Sequence, residues 1–587
     1  MLDLLIKNAC IVDGSGAASM EGDVGIEGDR IVVVGDAPGT AHQIIDGSGL
    51  TLTPGFIDLH THYDGQVSWD AFLTPSSQHG VTTVLMGNCG VGFAPARPDQ
   101  RDFLIRLLEG VEDIPGTALH EGITWQWESF EQYLDTLESR AYAIDIGAQM
   151  PHAALRTYVM GARGADHTQI ATAEECAQMA ELTCSALTAG AMGFSTSRTA
   201  NHKTADGKNI GTLSAGREEL GTIAGALARA GRGVLQIVSD ATVGSNSEMV
   251  TQELDLFRHL VEIAQRPMSF SVAQAGEAPE QWRTMLEFAR QMSASGAIVK
   301  AQVAPRPIGV VMSFSTTVNP FMFTPTWQQQ ISGLSGSERY AKLCRPEVKQ
   351  AILAEHGSAS FNDVMSRSIA AALPRVFRFT DPVDYEPAAA SSLAAEATAS
   401  GRETADYAYD CFLEDRGQRL FYLPFLNYAH GNLDDVHTML EHPDTLYGLS
   451  DGGAHCGTIC DASFPTTLID FWRRGNRSGK RIPLESVVRN LTARNAEFIG
   501  WRDRGLIKPG YLADLNIIDL ERTGLSPPRV VKDLPANGSR LLQSSGAYRY
   551  TIKSGRVSFR DGEPTGELAG RLVRGERSVP NRFQNGI

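Results

Sequence analysis

The chain has 587 residues, 42% of them hydrophobic and 20% charged, with a formal net charge of -16. This is the composition of a globular protein too long for one ordinary core, and its negative balance argues against nucleic acid or an anionic membrane as a partner. Eight cysteines in so long a chain make no disulfide framework and point to a reducing compartment.

The opening stretch, MLDLLIKNACIVDGSGA, has no basic head followed by a long apolar core and a cleavage site, so it reads as a strand and not as a signal peptide. No run approaches the ~18 to 20 apolar residues of a membrane span. Glycine is frequent but scattered, with no repeat of solenoid period. A cytoplasmic location is expected. From residue 2 to about 53, LLIKNACIVD, DVGIEGDRIVVVGD and AHQIIDGSG alternate apolar residues between Gly-Asp turns, the pattern of a small antiparallel sheet. The far end, with ADLNIIDL and YRYTIKSGRVSFRDGEP, has the same texture, so the two ends would build one β-sandwich together.

Between them, strand and helix patterns alternate. Candidate strands are FIDLH at 56, VTTVLM at 81, YAIDIGAQ at 142, AMGFS at 191, GVLQIVS at 233, MSFSVAQ at 268, AIVKAQV at 297 and TLYGLS at 445. Helical patterns separate most of them. In TAEECAQMAELTCSALTAG, Thr172 and Glu175 form a capping box and Gly190 stands where the helix should stop. Eight such units predict a (β/α)₈ TIM barrel over 54–499, with the sandwich from 1–53 and 500–587. The segment 310–425 is longer than a normal crossover and reads as an insertion between strands seven and eight, placed to cover the mouth of the barrel.

Chemistry in such a barrel gathers where the strands end. In 54-PGFIDLHTHYDG-65, His60 and His62 lie one residue apart, so on an extended chain they share a face and suit one metal ion. Two exposed or satisfied histidines explain the motif equally well. Cys89, in the glycine-rich turn MGNCGVG after strand two, is either a ligand or core packing. Asp451, in LSDGGAH after strand eight, is either a site carboxylate or a turn residue. Their joint arrival on one rim favours a site.

Together, PGFIDLHTH, GVTTVLMGNCG, HAALRTYVMG, GAMGFST, LSDGGAH and DRGLIKPGYLADL resemble the amidohydrolase superfamily, and within it the D-aminoacylase (N-acyl-D-amino-acid deacylase) branch. The resemblance runs from residue 2 to about 574. It implies a metal-dependent hydrolase of a linear amide, with His60, His62 and Cys89 as metal ligands and Asp451 as general acid/base and further ligand. Asp58, two residues before His60, would orient a ligand imidazole or serve as a buried turn group. In that branch two histidines at the ends of strands five and six complete a tight zinc site. Here those neighbourhoods offer only Gln236, Ser239, Asp240 and Gln274, and amide oxygens are poor substitutes for imidazole at zinc. One divalent ion, zinc, is therefore expected and not two. Strand four carries no lysine at its tip, which argues against a carbamylated-lysine centre.

The expected reaction is deacylation of an N-acyl-D-amino acid, the D preference coming from the resemblance alone. A substrate carboxylate calls for an arginine, and Arg198 after strand four and Arg306 after strand seven are best placed. His202, Lys203 and His455 are further substrate candidates on strand-end loops, each also readable as an ordinary loop residue. His430 and His152 read as structural. Alternatives are hydrolysis of a bulkier aromatic or cyclic amide on the same scaffold, deamination, and a non-catalytic binding protein with a decayed metal site. The partner is a small-molecule amide, with association between copies of the chain left open.

Overall fold

The computed structural model describes residues 1–37, 39–358 and 368–580. Parts of the expected insertion (359–367) and of the expected C-terminal sandwich segment (581–587) lie outside the described residues, as does residue 38.

Both ends of the chain enter a single nine-stranded sheet. Leu2–Ile11 pairs with Met20–Glu27, which turns at Gly28 and Asp29 into Arg30–Gly35. Gly28 has φ +59°, the left-handed conformation that a two-residue hairpin turn requires. Thr51–Pro54 then pairs antiparallel with Leu515–Ile518, joining the first segment of the chain to the last. Alternation places Leu4, Ile6, Val24, Ile26, Leu52, Leu515, Ile517 and Ile552 in one buried cluster.

Every strand expected in the middle of the chain is present, in two parallel sheets. Phe56–Asp58, Val81–Met86 and Asp145–Ala148 form the first. Met150–Pro151, Gly193–Arg198, Val234–Ser239, Met268–Val272, Val299–Val303 and Thr445–Tyr447 form the second, in chain order. The third strand changes partner at Gln149, pairing backward before it and forward after it. At the other junction Thr61 bridges in parallel to Gly452. Helices separate the strands. Ala173–Ala189 begins with the expected box, Thr172 Oγ1 accepting from the Glu175 amide at 3.2 Å and the Glu175 carboxylate accepting from the Thr172 amide at 2.8 Å. It ends at Gly190, with φ +116°.

Between Val299–Val303 and Thr445–Tyr447 the chain forms a lobe of its own. Ile308–Met312, Phe421–Leu426 and Phe377–Arg378 make an antiparallel sheet, over which Phe314, Phe321, Trp327, Tyr409 and Phe412 pack as a separate aromatic core. The lobe leans on the loop after Thr445–Tyr447, where the Val311 amide donates to the Thr458 carbonyl at 2.7 Å. Among the described residues no helix is long and apolar enough to cross a membrane. All eight cysteines are unpaired.

Candidate metal centre

The extended stretch after Phe56–Asp58 carries His60 and His62 to the strand end, and the loop after Thr445–Tyr447 is laced to it. The Asp451 amide donates to the His60 carbonyl at 3.1 Å, and the His62 amide to the Gly452 carbonyl at 2.8 Å. That register puts Asp451 Oδ1 3.4 Å from His60 Nε2 and 3.7 Å from His62 Nε2. Cys89 Sγ lies 3.1 Å from His60 Nε2. The ligand atoms of His60, His62 and Cys89 all fall within 4.8 Å of one another, and all three residues are buried.

The backbone around these groups is unusually bent. Cys89, Leu449, Asp451 and His455 all have positive φ although none is glycine, a conformation that costs energy and that surrounding contacts must hold. For Cys89 the contacts are evident. Its amide donates to Gln236 Oε1 at 3.0 Å, while Asn88 Nδ2 donates to the carbonyls of Thr61 and Leu85. Gly87 and Gly90 on either side have no room for a side chain: a Cβ would stand 2.4 Å from the Gln149 carbonyl oxygen and 2.9 Å from Thr196 Cα.

Each imidazole is backed by an acceptor. His60 Nδ1 faces Gln302 Oε1 at 2.7 Å, and Gln302 Nε2 donates to Ser269 Oγ at 3.0 Å. His62 Nδ1 faces Glu112 Oε1 at 3.3 Å. Asp58 does not perform the imidazole-orienting role suggested for it. Its carboxylate accepts from the His60 amide and from Ser450 Oγ, so it holds the backbones of the two strand ends together.

Burial dominates the electrostatics. It pushes Asp64 up to about 7 and Glu112 well above the usual carboxylate range, with neighbouring acids adding to the Glu112 shift. It raises the Cys89 thiol, helped by Glu112, Asp451 and Asp64, and lowers His62 to about 4. For Asp451 burial acts upward, but the bond from His62 and the charges of His60 and His455 outweigh it and hold the carboxyl below its ordinary range. Among the described residues neither Glu112 nor Asp64 has an ion pair with lysine or arginine. Two imidazoles, a thiol and a carboxylate converging inside an acidic pocket that lacks such a cation form a donor set suited to a divalent ion.

The substrate candidates separate. His202, with Nδ1 2.8 Å from Ser197 Oγ, is held down to about 3 by burial and by the charges of His62 and His455, which places it in the same field. His455 Nε2 lies 3.7 Å from Glu112 Oε2. Lys203 is exposed on its loop, with its backbone bridged to Asn209. The two arginines are corrected. Arg198 forks onto Glu253 and donates to the Ala215 carbonyl. Arg306 is 1% exposed, paired with Asp461 at 3.1 Å and stacked over Tyr385. Both guanidinium groups are engaged within the fold and neither is free for a substrate carboxylate.

Glu112 and Gln302 were missed in the sequence. Glu112 left one signal: it falls in register with Leu104, Ile105, Leu108 and Val111, the buried stripe of the helix Arg101–Glu112, where an acid is out of place. Gln302 left none, since a glutamine in a buried strand has many uses.

The amidohydrolase family pattern matches residues 43–559. D-aminoacylase of Alcaligenes xylosoxydans xylosoxydans is 37% identical over 195 residues, an alignment spanning 33% of this chain and 37% of that protein. A D-aminoacylase structure, described by a binuclear metal center with one-metal activation and second-metal attenuation, covers 98% of this chain and all of its own, with TM-score 0.62 and 22% identity. N-acyl-D-glutamate deacylase from Bordetella bronchiseptica, complexed with zinc and a phosphonate inhibitor, superposes with TM-score 0.63 and 20% identity, covering 98% of this chain and 99% of its own.

Proposed function

The chain belongs to the amidohydrolase family, and from that premise we propose that it stands in the D-aminoacylase branch as a metal-dependent hydrolase of linear amides, acting on N-acyl-D-amino acids. The observation that carries this reading is the lacing of the Asp451 loop to the His60–His62 stretch, which brings a carboxylate to within 3.4 and 3.7 Å of the two imidazoles. The two parallel sheets act as one closed (β/α)₈ barrel over 54–499, joined through the split third strand and the Thr61–Gly452 bridge. The chain ends, 1–53 and 500–587, form its companion sandwich. The unpaired cysteines suit the cytoplasm.

His60, His62, Cys89 and Asp451 would hold one zinc ion. Such an ion supplies Lewis acidity and acidifies water near neutral pH. The chain's own groups do the rest. Asp451, ionised at neutral pH, accepts the proton of the attacking water and returns it to the departing amine. Gln302 holds the Nδ1 side of His60, leaving Nε2 toward Asp451. A single ion is favoured because the strand-five and strand-six alternatives are engaged: Gln236 with the Cys89 amide, Ser239 with Glu253, Asp240 with Thr199 and Ala200, Gln274 with Asp435.

A second reading, a bulkier or cyclic amide without a free carboxylate, is favoured by the engagement of Arg198 and Arg306. Zinc-stripped and zinc-restored protein, offered matched N-acetyl-D-amino acids, N-acetyl-L-amino acids and neutral cyclic amides, distinguishes the two. Zinc-dependent release of the D-amino acid supports the first. Turnover confined to the neutral amides replaces it with the second, and zinc-independent turnover removes both.

A further inference from the structure

Glu112 stands where the fold loses by having it. It ends the helix Arg101–Glu112, where a carboxylate meets the unfavourable negative end of the helix dipole, and its side chain is 2% exposed. Burying a carboxylate without a hydrogen-bonding cation is expensive. Its Oε1 and the facing His62 Nδ1, 3.3 Å apart, are both buried and neither completes a hydrogen bond as the side chains now lie. Its Oε2 lies 3.7 Å from His455 Nε2, and its main-chain carbonyl accepts the His455 amide.

We propose that Glu112 is a positioning residue whose carboxylate orients the His62 ring and ties the His455 loop to it. This rests on the reading of His62 as a metal ligand. With Nδ1–H directed at Glu112, the lone pair of His62 is on Nε2, the atom that faces Asp451. The arrangement parallels His60, whose Nδ1 is held by Gln302 Oε1. The two partners differ in kind. Gln302 is a neutral amide tethered to Ser269, whereas Glu112 is an acid, which makes its imidazole a stronger donor. The second oxygen, with the main-chain bond, fixes the loop that also carries Asp451. Glu112 thus sets His62 and the Asp451 loop from one side.

The test compares the parent with Glu112→Gln, Glu112→Asp and His62→Ala. Each is stripped of metal, checked by thermal unfolding, and titrated with zinc against a chromophoric chelator. Glu112→Gln should unfold, metal-free, at or above the parental temperature, because an amide of the same shape replaces a buried acid that has no cation partner, while its zinc affinity falls about 10- to 100-fold. Glu112→Asp, which keeps the acid on a shorter arm, should recover part of that loss, and it carries the test if the Gln variant fails to fold. Parental zinc affinity in both Glu112 variants, alongside loss of zinc by His62→Ala, overturns this proposal alone. Parental affinity in His62→Ala, or a parent that binds no zinc, overturns the underlying site reading and this proposal with it.

Discussion

The two ends of the parallel strands make opposite use of charge. At their N-terminal ends lies an open cleft of about 1200 Å³, its walls including Arg266, Lys300, Arg494, Glu497 and Glu576. None of His60, His62, Cys89 and Asp451, at the C-terminal ends, lines it. By size alone the cleft would be the site. Its charges say otherwise. Arg266 donates to the Gly233 carbonyl and pairs with Glu576, Lys300 pairs with Asp444, and Arg494 donates to the Pro443 carbonyl. These cations sit where helices end and carbonyls accumulate, so they offset the helix dipoles. At the other end, Glu112 Oε1 and His62 Nδ1 are buried without partners, and four non-glycine residues hold positive φ. What sets this end apart is the convergence of His60, His62 and Cys89, with ligand atoms within 4.8 Å of one another.

The largest expected effect follows from attacking the C-terminal end directly. Replacing His60 and His62 together by Ala should abolish zinc binding and hydrolysis, because a thiol and a carboxylate are too few to hold the ion tightly at neutral pH. Circular dichroism should stay parental, since Ile57 and Leu59 pack in a separate apolar cluster with Leu85 and Trp501. Asp451→Asn comes next, with turnover down ~100-fold or more and most of the zinc retained. Near-parental turnover in that variant would make Asp451 a turn residue only.

The N-terminal ends should answer in stability alone. Asp145, at the start of its strand, is buried between Arg504 at 2.6 Å and Lys553 at 2.9 Å, and those two charges hold it below its ordinary range despite burial. Asp145→Asn leaves both cations short of a partner and should cost about 3–5 kcal/mol in denaturant unfolding, with zinc stoichiometry unchanged. A normal Cm would show that Asp503 and Asp514 suffice for the two cations. Smallest of all, Arg266→Ala in the large cleft removes a partly exposed pair and should shift stability by about 1 kcal/mol or less. A fall in hydrolysis there would erase the contrast between the two ends.

What the sequence made legible was local. The strands, the Thr172 capping box and the Gly190 stop are set by neighbours a few residues apart. His60 and His62 were legible as a pair because an extended chain puts alternate residues on one face. What escaped was made over distance. Gln302 reaches His60 across 242 positions, and Glu253 claims Arg198 across 55. A sequence places an arginine after a strand, but only the packed structure names its carboxylate. The third strand was read as ending at Gln149, yet the chain goes on through Met150–Pro151 to pair into a second sheet, a change of partner that side-chain alternation does not encode.

Diffraction at the zinc absorption edge, from crystals of zinc-loaded protein, tests the central claim most directly. One strong anomalous peak per chain is expected, among His60, His62, Cys89 and Asp451. A further strong peak beside Gln236 or Gln274 would contradict the single-ion reading. The site itself would be contradicted by a peak found only at the exposed group Glu280, His430 and Asp435, the other set of side chains close enough to share an ion among the described residues.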